Sequence, residues 1–75
     1  MEKTTEEILK DLDNRFDYHA PKPGQAEKYT ALRAQIKETA GIITSACPDS
    51  RERSIAITKL EEAMYWANAS IARNE

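Results

Sequence analysis

Seventy-five residues, 40% of them hydrophobic, suffice for one domain and no more, and a chain this short needs disulfides, a metal or partner chains to be stable. A single cysteine, Cys47, and a single histidine, His19, exclude an internal disulfide, a cysteine-rich metal cluster and most zinc constellations, which leaves self-association. The net charge of −2 hides a cationic stretch: between residues 15 and 37, Arg15, Lys22, Lys28, Arg33 and Lys37 face only Asp17 and Glu27, an excess suited to a discrete anion and not to a DNA or RNA polymer.

The chain reads as all-α, one domain over residues 1–75, with helices at about 4–16, 25–46 and 50–73. The first begins at Thr4, which has capping-box spacing to Glu7. Ile8, Leu9, Leu12 and Phe16 then form one apolar stripe, so this short amphipathic helix must dock on something. Pro21, Pro23 and Gly24 break the pattern and predict an extended, stiff connection.

In the second helix Tyr29, Leu32, Ile36, Ala40, Ile43 and Cys47 recur at spacings of three and four, a narrow coiled-coil-like seam. Gly41 weakens a helix interior by about 1 kcal/mol, which close approach of a neighbouring helix would offset. Pro48 stops the helix. Asp49 or Ser50 caps the third, with Glu52 placed to complete a box from Asp49. Ile57, Leu60, Met64, Ala67 and Ile71 give the complementary seam. Two long helices with a short connection fold back antiparallel. A second stripe, Ala63, Trp66, Ser70 and Arg73, is left outside that hairpin and predicts packing against other copies.

No enzyme signature is present. His19 lies in a proline loop rather than behind a nucleophile, adjacent Glu61 and Glu62 diverge on a helix, and two glycines cannot build a phosphate loop. Cys47 reads as a small buried residue. No cofactor or metal is implied. The opening residues lack the apolar core of a signal peptide and no segment is apolar enough to span a bilayer, so a reducing cytoplasm is the expected compartment.

Three groups of residues have two readings each. Tyr18, His19 and Lys22 are either a loop in which Tyr18 staples the first helix to the hairpin and His19 bonds to backbone, or an aromatic face with cationic donors for a nucleotide. Arg33 and Lys37, four apart with Lys28 and Thr39 nearby, are either a solvated face or phosphate ligands. Trp66, Asn68 and Arg73 are either a subunit contact with an ordinary helix-end arginine, or the lining of a pocket between chains.

The run from Arg15 to Gln25 (Arg-Phe-Asp-Tyr-His-Ala-Pro-Lys-Pro-Gly-Gln), followed by Tyr29 and Arg33, and the run from Leu60 to Asn74 together resemble the helical-hairpin domain shared by phage anti-CBASS and anti-Thoeris sponge proteins. The resemblance spans residues 15–74. It implies a homohexamer in the cytoplasm of the infected bacterial host that sequesters cyclic di- or trinucleotide immune signals without cleaving them. By position it implies that Tyr18 and Lys37 hold cyclic dinucleotides, with Arg33 or Lys22 as substitutes for the lysine. Thr39, with Arg73, would serve cyclic trinucleotides. The other reading is a small helical protein–protein interaction module of a phage.

Overall fold

The computed structural model describes residues 2–75. Three helices follow in order: α1 (Thr5–Phe16), α2 (Gln25–Ala46) and α3 (Arg51–Asn74); among the described residues there is no strand. The hydroxyl of Thr4 accepts the amide of Glu7 and starts α1. Ser50, not Asp49, caps α3: its Oγ accepts the Arg53 amide at 3.1 Å. The box expected from Asp49 to Glu52 is therefore not formed. Asp49 instead pairs with Arg53 at 3.1 Å.

The connection between α1 and α2 ends in a tight turn. The Gln25 amide donates to the Lys22 carbonyl at 3.1 Å across Pro23 and Gly24, and Gly24 has φ 85° and ψ −14°. Proline second and a left-handed glycine third are the requirements of a type II turn. The fixed φ of Pro23 and the missing Cβ of Gly24 thus aim the chain into α2.

α2 and α3 pack antiparallel on each other while α1 barely touches the hairpin. The two predicted seams meet: Tyr29, Leu32, Ile36, Ala40 and Ile43 from α2, and Ile57, Leu60, Met64, Ala67 and Ile71 from α3, are all half-buried. Cys47 leaves this seam. It is exposed, because the chain turns extended there, at φ −108° and ψ 137°, to end the helix. Gly41 also departs from expectation, since a Cβ built on it would meet nothing within 4 Å; no helix of this chain approaches it.

At the hairpin's closed end Arg53 holds both helices. Its Nη1 donates to the carbonyls of Thr44 and Cys47 at 3.3 and 3.2 Å, satisfying acceptors that the end of α2 leaves without helical partners. At the open end lies Gln25, the one buried residue among those described, 3% exposed. Its Oε1 accepts the Lys22 amide, and its Nε2 donates to the Ile71 carbonyl and the Glu75 carboxylate.

Among the described residues no hydrophobic side chain is buried. The chain measures 50 × 32 × 18 Å with a radius of gyration of 16.6 Å, against about 11 Å for a compact domain of this length. A hairpin has one inner face, and the large apolar side chains outside it, Ile8, Leu9, Leu12, Phe16, Tyr18, Ile42, Ile55, Tyr65 and Trp66, remain exposed. Among the described residues no helix is long and apolar enough to cross a membrane.

Candidate functional site

The cationic face of α2 is where charge and cavity coincide. Arg33 and Lys37, one helical turn apart, line a groove of about 200 Å³ whose apolar walls are Ile36, Ala40, Ile57, Leu60 and Met64, with Glu61 on the opposite side. Neither cation belongs to an ion pair among the described residues. Two free positive groups beside a shallow apolar wall can hold an anion through charge-assisted hydrogen bonds while its flat parts rest on hydrocarbon.

Arg33 also lines a second cleft, of about 350 Å³, together with Tyr29, Asn68, Ala69 and Ala72. Asn68 Oδ1 is buried there with no hydrogen-bond partner. A buried acceptor left without any donor costs about 1–3 kcal/mol.

The proline loop behaves differently. His19 Nε2 donates to the Asn14 carbonyl at 2.7 Å, which ties the ring to the end of α1, as its ordinary reading requires. Tyr18 staples nothing: its side chain is 87% exposed. Lys22 is occupied, since its Nζ donates to the Glu75 carbonyl oxygen, and Lys28 pairs with the Glu75 carboxylate. Lys28 and Gln25 donate to that carboxylate and hold its pKa below the ordinary glutamate value of 4.5.

Thr39 and Arg73 lie far apart in one chain. Gln25 at the start of α2 reaches Ile71 near the end of α3, so Thr39 is roughly 20 Å further along the hairpin at 1.5 Å per residue. Its hydroxyl donates to the Gln35 carbonyl at 3.0 Å. Arg73 Nη2 points toward α1 and donates to the Arg15 carbonyl at 3.4 Å. Tyr18 and Lys37 are separated along the hairpin in the same way. The single chain thus unites Arg33 with Lys37, Arg33 with Asn68 and Arg73 with Trp66, while Tyr18 and Thr39 line none of these clefts.

The sequence profile of the Acb2/Tad1 hairpin domain matches residues 9–72. This chain belongs to that family. The Acb2/Tad1 family is the anti-CBASS and anti-Thoeris sponge family, and the matched span runs from the middle of α1 through nearly all of α3. Arg33, Lys37, Thr39 and Asn68 fall inside it, whereas Arg73 lies just beyond its end. No curated protein and no solved structure matches the chain significantly.

From the sequence, Asn68 is a mid-helix amide that is unfavourable unless it caps or bridges something, and Arg73 suits the negative end of the helix dipole. Only the burial of its Oδ1, a product of how α2 crosses α3, sets Asn68 apart. The sequence reading missed Glu75 as the partner of Lys22 and Lys28, a contact some fifty residues apart in the chain for which no local pattern exists.

Proposed function

We propose that this protein is a phage anti-defence sponge, which binds cyclic di- or trinucleotide immune signals and sequesters them uncleaved in the cytoplasm of the infected host. Membership of the Acb2/Tad1 family supports the class of function. The observation that carries it to residues is the pair Arg33 and Lys37, unpaired on an apolar groove. A solvated helix face needs no such groove beside its cations.

The working unit is a homo-oligomer, a hexamer in this reading. Tyr18 from one subunit then supplies the face on which a base stacks, worth roughly 1–3 kcal/mol per base. Lys37 and Arg33 from a neighbour hold the phosphates, with His19 and Lys22 at the edge of the same pocket. Asn68 Oδ1 takes a donor from the ligand. Thr39 and Arg73, apart in one chain, meet only when different subunits contribute them, and serve the trinucleotide. Capture of this kind depends on slow release and not on turnover, and no group is assigned a catalytic role.

Isothermal titration of the assembled protein with a panel of cyclic di- and trinucleotides tests this reading. Tight binding by at least one member is expected, and Arg33→Gln with Lys37→Gln should weaken it at least tenfold while leaving the assembly mass unchanged. Absence of heat with every member contradicts it. The interaction-module reading draws on the exposed Ile8, Leu9, Leu12 and Phe16 of α1; it predicts that the charge-neutralised variant behaves like the parent in every binding assay.

A further inference from the structure

The one buried residue among those described is polar: Gln25, at the start of α2, is 3% exposed. Burying an amide is unfavourable unless its hydrogen bonds are made, and here they are. Its Oε1 accepts the Lys22 amide at 2.9 Å. Its Nε2 donates to the Ile71 carbonyl and to the Glu75 carboxylate, each at 3.4 Å. One side chain thus ties the loop before α2 to the last turns of α3. A methionine would fill the same space and hold neither.

The loop that Gln25 holds carries Tyr18 and has little freedom of its own. Pro21 and Pro23 fix their own φ, and each restricts the residue before it, Ala20 and Lys22, to extended backbone. His19, the remaining link, is tied through its ring to the Asn14 carbonyl at 2.7 Å. Residues 18–22 form neither helix nor turn, so they make a short, stiff arm. Its base is where the Lys22 amide meets Gln25; its far end bears the exposed Tyr18 ring.

We propose that Gln25 is a positioning residue, which fixes the base of this arm against the hairpin and so sets where the Tyr18 ring stands. The proposal rests on the nucleotide-binding reading of Tyr18 and deepens it, since Gln25 and Pro21 touch no ligand in that reading. An aromatic face held in place beforehand loses less freedom on binding than one carried by a slack loop.

A double-mutant cycle on the full chain tests this, by calorimetric titration with cyclic di-AMP and with cyclic di-GMP. Gln25→Met keeps the buried bulk and removes the hydrogen bonds, whereas Pro21→Gly frees the arm and leaves the hairpin untouched. Each should weaken binding of the dinucleotide that the parent takes at least fivefold. In a Tyr18→Leu background, where the arm has no ring left to place, the same changes should alter affinity less than twofold. Amide exchange at Lys22 should be slow in the parent and fast in Gln25→Met. Weakening that persists in full without the Tyr18 ring gives Gln25 a purely structural role and overturns the proposal. A Gln25→Met affinity equal to the parent's overturns it as well, and both results leave the sponge reading standing. If Gln25→Met loses assembly mass by light scattering, Pro21→Gly decides by the same comparison. A parent that binds neither dinucleotide overturns the proposal together with the Tyr18 reading on which it rests.

Discussion

Glu75 carries more of the hairpin's open end than its position suggests. Its carboxylate receives Lys28 and Gln25, and its backbone oxygen receives Lys22. Hydrogen bonds from Lys28 and then Gln25 hold its pKa below 4.5. A carboxyl whose folded value is depressed contributes stability that is complete above its unfolded value and lost as pH falls through the folded one. Acid should therefore loosen the open end, and Glu75→Gln should flatten the decline in stability below pH 4.5. Urea unfolding at a series of pH values checks this; parallel curves for parent and variant would refute it. The same clasp engages Lys22 and Lys28 with Glu75, whereas Arg33 and Lys37 belong to no ion pair among the described residues.

Within α2, Gly41 stands in the helix interior with open space where a Cβ would go. Gly41→Ala should stabilise the hairpin by about 0.5–1 kcal/mol through the loss of unfolded-state entropy, read from the urea midpoint. A loss of assembly mass in that variant would show instead that another copy packs against the glycine. The helices themselves were legible from the sequence, because caps, prolines and the three–four spacing are local signals that tertiary structure left intact. Thr4, Ser50, Gly24 and the two seams all took their expected places. What failed to read through was set by geometry at element ends. Cys47 continues the seam by spacing but sits where the backbone turns extended. Tyr18 had the residue type of a staple, yet α1 diverges from the hairpin and gives it nothing to fasten. That Arg33 and Lys37 share one helix face could be read from their spacing; that neither joins an ion pair among the described residues could not. That Asn68 joins Arg33 in one cleft depends on the crossing of α2 and α3, which no local pattern encodes.

As a whole, the chain exposes 6200 Å², against about 4,700 Å² for a compact protein of its mass. The excess of about 1,500 Å² per chain exceeds the roughly 800 Å² that each partner contributes to an ordinary stable complex. Its largest apolar members lie on α1 (Ile8, Leu9, Leu12, Phe16) and on the outer face of α3 (Tyr65, Trp66). A two-helix hairpin without a buried apolar residue lacks the driving force to fold alone. Folding and assembly should therefore be one event: the melting temperature should rise with protein concentration across a hundredfold series, as linkage requires. A melting temperature independent of concentration would mean that the hairpin is stable by itself. In the proposed oligomer, neighbouring copies would add walls to the groove at Arg33 and Lys37 and so deepen a surface that is shallow in the single chain.

The central claim is retention without chemistry, and a depletion-and-recovery measurement tests it most directly. Assembled protein in excess is mixed with a cyclic dinucleotide or trinucleotide, the free ligand is measured by ultrafiltration, and the complex is then heat-denatured and the nucleotide analysed by chromatography. The account predicts near-complete depletion of at least one ligand and its recovery, chemically unchanged, after denaturation. Ligand that stays free with every nucleotide in the panel, or that returns cleaved, would contradict it.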